Sequence, residues 1–239
     1  MAFYDFLLGP QRQIAANIKR VADRNSQAED RDGAARWLAQ NGSEEALYGM
    51  FSRFDLQIEH SLKDRNEKEL VFELLLDHGA KVLPIARKFG EKSTNFVYAA
   101  RLVGRISGEE AATTLLLELL EQETLENELK PEKKRLLLIA LAERQDPRIV
   151  AAASRFLADF DEGVRAGAVE AIVSKEGDER RPLLLAALCN RKEESTRIRG
   201  RIAEAFAKKK WLIDTDDPWL PNHVPSGYRL VDGLLISAR

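Results

Sequence analysis

The chain has 239 residues, with 37 Lys and Arg against 39 Asp and Glu, a formal net charge of −2. That balance is unlike a globally basic nucleic-acid binder, although it leaves room for a local basic patch. A single cysteine excludes an intrachain disulfide framework and any multi-cysteine zinc site, while 44% hydrophobic residues and abundant Leu, Ala, Glu, Arg and Lys suit a helical core.

The longest apolar runs, 136–142 and 183–189, fall far short of the ~20 residues that span a bilayer. The N-terminal stretch lacks a basic region, and Asp5 interrupts its apolar run, which reads against a secretory signal. The expectation is a soluble cytoplasmic protein. Phe3, Phe6, Leu7 and Leu8 leave two uses open: a plug over the first helix pair, or a tag that docks to a membrane surface or a partner.

In chain order, apolar residues at helical spacing predict helices near 10–25, 30–41, 43–54, 65–78, 80–90, 93–107, 109–122, 132–144, 147–159, 162–175, 180–190 and 195–209. Asp146 followed by Pro147 is an N-cap signal. Ser43 is a simple cap, because a capping box would need Glu or Gln where Ala46 stands. Gly79, Gly90, Gly108 and Gly177 punctuate turns, and residues 125–130 read as a loop before Pro131. After Lys210 the helical period stops. Residues 211–226 hold Trp211, Trp219 and several Pro and Asp, and two short strands, 228–231 and 234–237, flank an Asp232-Gly233 turn. A lone hairpin is marginal in water, so it must pack on something. It either caps the last helices with Trp211 and Trp219 or is a strand offered to a partner.

The helices repeat. Val164-Arg165-Ala166-Gly167-Ala168-Val169-Glu170-Ala171-Ile172 aligns with Ile198-Arg199-Gly200-Arg201-Ile202-Ala203-Glu204-Ala205-Phe206 at an offset of 34 (198 − 164). Ala34 to Ala39 aligns with Ala99 to Gly104 at an offset of 65 (99 − 34), about two such units. Each unit reads as two helices that cannot bury their apolar faces alone and must stack. Ala166, Gly167 and Gly200 are expected to admit close helix approach.

Asp159 with Val164-Arg165, Ala168 and Ala171-Ile172, and Glu193 with Ile198-Arg199, Ile202 and Ala205-Phe206, resemble the second helix of a HEAT repeat. Ala100, Val103-Gly104 and Ile106 followed by Glu110-Ala111 resemble the phycobilisome-lyase HEAT-like variant. Tetratricopeptide repeats share the period, but their Trp, Gly, Tyr and Pro positions do not recur. The layout is also similar to small uncharacterised bacterial HEAT-repeat proteins with a short apolar N-terminus, about five repeats and a short tail. The resemblance implies an all-α fold: a right-handed α-solenoid of about five HEAT-like (armadillo-like) hairpins with a concave and a convex surface. Residues 1–29 would be an apolar segment and capping helix, 30–209 the array, and 210–239 the tail with its candidate β-hairpin. It further implies an acid–arginine ladder between neighbouring repeats. Asp159/Arg165 and Glu193/Arg199 match its six-residue spacing, and Arg135, with no acid six residues before it, marks a break.

Charge is uneven along the array. Residues 109–128 hold seven Glu and no Lys or Arg, and residues 190–210 hold eight Lys and Arg against three Glu. Arg197, Arg201 and Lys208 fall on one stripe away from Ile198, Ile202 and Phe206. If the second helix lines the concave surface, this stripe is a partner-binding site for an acidic protein segment or phosphate groups. The alternative is a solvated face with Glu204 pairing Lys208. Arg101, which recurs as Arg36, is a further groove candidate with repeat packing as its other role.

No catalytic, cofactor or metal site is expected. His60 has only Asp64 one turn on, His78 reads as a helix C-terminal residue, and His223 has no evident partner. Cys189 reads as a buried core thiol among Leu184, Leu185 and Leu188. There is no Gly-rich phosphate loop. The reading is a non-enzymatic scaffold or adaptor binding a protein partner, without metal, cofactor or transmembrane segment. Two alternatives are a phycobilin-lyase-like protein handling a tetrapyrrole, and a helical-repeat alkylated-base DNA glycosylase. The latter is disfavoured because Trp37, Trp211 and Trp219 lie towards the ends and the middle is acidic.

Overall fold

The computed structural model describes residues 9–125, 131–214 and 218–238. The apolar N-terminal residues Phe3, Phe6, Leu7 and Leu8, Glu126 and Glu128 of the acidic stretch, and most of the expected 125–130 loop lie outside the described residues. The chain is mostly helical, with one small C-terminal sheet. It divides into two compact units, Met1–Leu115 and Leu116–Arg239.

The first unit begins with α1 (Pro10–Val21), α2 (Ala28–Asn41), α3 (Glu44–Met50), α4 (Ser52–Asp55) and α5 (Ser61–Leu76). A 3-10 turn, Gly79–Val82, leads into α6 (Leu83–Lys92), followed by α7 (Phe96–Ser107). The boundary between units falls within α8 (Glu109–Glu121). Sequence neighbours pack as α1 with α2, α3 and α4 with α5, and α6 with α7, while α5 lies against both α2 and α7. The second helices therefore form their own layer. Leu38, Leu47, Met50, Phe51, Phe54, Phe72, Leu75 and Phe96 are fully buried between the layers, each worth about 1.5–3 kcal/mol of transfer free energy. Ser43 caps α3 by accepting from the Ala46 N–H at 3.2 Å, the simple cap expected of it.

The helix expected over 43–54 is broken into α3 and α4 at Phe51. The Phe51 N–H turns back to Tyr48 O and Gly49 O, and the Ser52 hydroxyl donates to Gly49 O at 2.6 Å, so the regular carbonyl pattern is diverted locally. Gly49 is where α1 meets α3. A Cβ there would overlap the Ile18 side chain.

The second unit contains α9 (Pro131–Ala142), α10 (Arg148–Ser154), α11 (Glu162–Val173), α12 (Arg180–Leu188) and α13 (Thr196–Lys209). α10 pairs with α11 and α12 with α13, and α11 lies between α9 and α13. Pro147 is the N-cap of α10 rather than Asp146, whose carboxylate, one residue earlier, accepts from the Arg148 N–H at 2.9 Å. Asp161 and Ser195 cap α11 and α13 by accepting from Val164 and Ile198 N–H. Leu137, Leu138, Leu141, Phe156, Ala168, Ile172, Leu184, Leu188, Ile202 and Phe206 form the core.

Successive hairpins of this unit are tied by buried ions. Lys134 Nζ lies 2.6 Å from Asp159 Oδ2, and Arg165 holds Glu193 with two bonds of 2.7 and 3.1 Å. The ladder is therefore not broken at α9. Its cation there is Lys134, one residue before Arg135, and it stands 31 positions before Arg165 (165 − 134) rather than 34. Arg199 ends the ladder without a carboxylate: it donates to Leu188 O at 2.9 Å and to His223 O, and sits 4.7 Å from the Trp219 ring. Two further buried cations close helix ends. Lys175 donates to Leu141 O and Ala142 O in the last turn of α9 and to Arg144 O just after it, and burial pushes its ammonium down. Arg180 donates to Val173 O at the end of α11 and to Lys175 O and Gly177 O after it. Each satisfies carbonyls that a helix C-terminus leaves unpaired.

The tail folds onto this unit. Trp211 is buried edge-on against Phe206, at 5.4 Å, and its indole N–H donates to Asp178 at 3.1 Å. Strands β1 (Tyr228–Val231) and β2 (Leu234–Ser237) pair antiparallel with Val231 opposite Leu234, as the Asp-Gly turn predicts. Asp232 and Gly233 both have positive φ, 50° and 74°, which matches the right-handed twist of a tight hairpin. Leu212 bridges to Leu234, and Leu235 is buried.

Two local expectations are corrected. Cys189 is half-buried at the C-cap of α12 rather than a core thiol, because α12 ends at Leu188 and leaves it on the last, solvent-edged turn. Gly200 faces open space, so it mediates no close approach, whereas Gly167 does: a Cβ there would sit 3.2 Å from Leu138 Cβ.

Candidate partner-binding groove

The second-helix layer of the second unit bears a groove with a cavity volume of about 400 Å³. α11 is its floor and presents Gly163, Ala166 and Gly167 on one stripe, which leaves the space unfilled by side chains. α9 supplies one wall with Arg135 and Ile139, and α13 the other with Arg197, Ile198 and Arg201. A Cβ at Gly163 would lie 3.0 Å from Asp161 Oδ1 and 3.1 Å from Arg135 Cδ, so a side chain there would press on both.

The arginines are held differently. Arg201 is locked on Glu170 by two bonds of 2.8 and 3.1 Å, with Glu204 at 3.3 Å. The Glu170 hydrogen bond and charge raise the Arg201 guanidinium further against the cost of burial. Arg197 is 69% exposed and touches the exposed Glu162 at 3.4 Å. Arg135 touches the exposed Glu132 at 3.5 Å. Exposed pairs of this kind are worth at most ~1 kcal/mol, so two guanidinium groups on opposite walls are easily drawn to another carboxylate.

Of the residues expected on the stripe, Arg197 and Arg201 line the groove together. Lys208 is exposed near the end of α13 and is not among the lining residues. Glu204 bonds Arg201 instead of the expected Lys208. Arg101 belongs to the first unit, where it lies 4.3 Å from the Phe72 ring and 3.1 Å from Glu69. Arg135 and Ile139 complete the groove. Their legible signal was an exposed Arg and an exposed Ile one turn apart on α9, but the wall they form depends on α9 lying beside α11.

Elsewhere, His60 is an exposed helix-start residue. His78 follows the end of α5, and His223 stacks on Trp219 at 4.1 Å with Nδ1 2.7 Å from Trp219 O. Among the described residues, no group of three or more His, Cys, Asp or Glu is placed to hold a metal ion, and no helix is long and apolar enough to cross a membrane.

The helical hairpins and their ionic ties define a class, a protein of repeated helix pairs. No family model matches the chain, and no curated protein matches it. A solved structure described as "Crescerin uses a TOG domain array to regulate microtubules in the primary cilium" aligns over 98% of both chains at 16% identity with a TM-score of 0.45. A likeness of that degree assigns neither partner nor activity.

Proposed function

We propose that the chain is a non-enzymatic scaffold of the HEAT-like kind that binds a protein partner on its second-helix layer. The observation that carries this reading is the groove in which Arg135, Arg197 and Arg201 surround a floor of small residues on α11. Small floors with exposed arginines above apolar side chains suit protein contacts, where Arg is enriched and apolar burial supplies the affinity. The inter-hairpin ties through Asp159 and Glu193 support the HEAT-like assignment, since the sequence resemblance implies such a ladder.

The test is affinity capture from native extract with the tagged wild-type chain beside Arg197→Glu/Arg201→Glu, read by mass spectrometry. A protein recovered by the wild type and lost with the folded double variant supports the reading. Equal recovery by both refutes binding at this groove.

A further inference from the structure

We infer that the groove over α11 takes an acidic peptide segment of a partner protein, with a carboxylate drawn between Arg135 and Arg197 and a neighbouring aliphatic side chain laid on Ile139. This deepens the scaffold reading and rests on it. Three observations specify the occupant.

The first is charge. The lining carries Arg135, Arg197 and Arg201 against Glu170 alone, and Arg201 is already neutralised by Glu170 in a two-bond pair. Arg135 and Arg197 are paired with Glu132 and Glu162, which stand outside the lining, are themselves well exposed and make single contacts of 3.5 and 3.4 Å. An incoming carboxylate meets a planar fork with two parallel donors and replaces a single-contact, water-screened pair.

The second is the apolar component. Ile139 is 45% exposed and stands beside the arginines on the groove wall, where the buried side chains of Val169 and Ile198 close the space behind it. A sugar-phosphate backbone makes no use of such an apolar side chain. An aliphatic side chain does, at about 25 cal/mol per Å² removed from water.

The third is shape. Gly163, Ala166 and Gly167 lie on one face of α11 over little more than a turn, so the space above them is open between the walls of α9 and α13. It can accept side chains from a peptide. Glu170, Glu162 and Glu132 around the arginines also disfavour a doubly charged phosphate relative to a single carboxylate.

The test uses the full chain. A phage-displayed library of short random peptides is selected on the wild type and counter-selected on Arg135→Glu/Arg197→Glu. Synthetic versions of the selected peptides are then titrated by fluorescence anisotropy. Ala166→Trp, which fills the groove without touching any charge, is the second variant, and circular dichroism melts check that both variants fold. The inference expects enrichment of Asp or Glu next to Leu, Ile or Val. It expects at least ~10-fold weaker binding to each variant, and weaker binding at high salt. Selection of no peptide above background, of peptides without acidic residues, or of peptides that bind all three proteins equally overturns it. Tighter binding of a phosphoserine peptide than of its Glu counterpart overturns it in favour of phosphate recognition. The scaffold reading fails separately. If the captured partner is still lost with Arg197→Glu/Arg201→Glu while no acidic peptide binds, the scaffold stands and only the occupant is wrong.

Discussion

Lys134 and Asp159 form an ion pair of 2.6 Å in which both side chains are 1% exposed. The pair ties α9 to the residues that launch α11, and Arg165 does the same one hairpin later by holding Glu193. In each case a cation on one second helix grips the acid just before the next second helix. Asp159 also accepts from the Asp161 N–H at 3.0 Å, so one carboxylate both receives the previous hairpin and shapes the turn into the following one. In the first unit Arg31 of α2 plays the cation, with bonds of 2.7 and 2.8 Å to Glu67 of α5.

Breaking one side of the Lys134–Asp159 pair strands a buried charge. Lys134→Met is expected to lower unfolding free energy by about 3–5 kcal/mol. Lys134→Met with Asp159→Asn removes both charges and keeps an acceptor for the Asp161 N–H, so it is expected to recover most of that loss. Urea unfolding of the two single variants and the double variant measures this. Additive losses would show that the ions act separately rather than as a pair.

Most of the local structure was legible in the sequence, because it depends on short-range rules. The 3.6-residue period placed the helices, and Asp232-Gly233 placed the β-hairpin. The register between hairpins was not legible. Lys134 stands 31 positions before Arg165 (165 − 134) rather than 34, and neighbouring cations are interchangeable until α9 is packed. The groove was half legible for the same reason. Arg197 and Arg201 lie on one visible stripe, but Arg135 joins them only because α9 and α13 flank the small-residue face of α11. Gly200 aligns with Ala166, one residue before Gly167, and that single step is enough to leave it facing open space while Gly167 lies against Leu138 of α9.

Acid should loosen the ionic ties before it affects the apolar core. Burial pushes the Glu67 carboxyl up, but the Arg31 hydrogen bond and the Arg53 and Arg31 charges outweigh it and hold the group below the usual carboxylate range. Asp64 is likewise held down by Lys68 and Arg53 against its burial, and Glu193 by Arg165 and the Ser195 N–H against its own. A carboxyl with a lower pKa in the folded chain contributes stability that is complete above its unfolded pKa of ~4. That contribution is lost as pH falls through the folded value. The urea midpoint should therefore be flat from pH ~7 to ~5.5 and fall steeply below ~4. Glu67→Gln should be less stable at neutral pH and show a shallower acid limb. An unchanged limb would remove Glu67 from the account.

Gly49 sits where a side chain would run into Ile18. Gly49→Ala is expected to cost about 1–3 kcal/mol as α1 is pushed off α3, despite the gain in helix propensity that Ala brings elsewhere. Ile18→Ala leaves a gap at the same place. The double variant Ile18→Ala/Gly49→Ala should lose clearly less than the sum of the singles, and thermal or urea unfolding of the four proteins reads the difference.

Trp211 joins the tail to the last helix pair. It is 8% exposed, packs on Phe206, lies 5.0 Å from the Arg180 guanidinium and donates to Asp178. The next residue, Leu212, bridges to Leu234, and the Ile213 N–H donates to Gly233 O at 2.7 Å. The hairpin thus hangs on a segment that Trp211 pins, and two strands have little stability of their own. Trp211→Ala is expected to cost about 3 kcal/mol in the second unit and to raise amide hydrogen exchange across Tyr228–Val231 and Leu234–Ser237. Trp211→Phe should keep the edge-on packing while leaving Asp178 without the indole, so its effect should be smaller on both readouts. Exchange in α1 and α2, whose contacts lie within the first unit, should not change in either variant. Unaltered strand protection in Trp211→Ala would mean that Leu235 and the α13 contacts alone hold the hairpin in place.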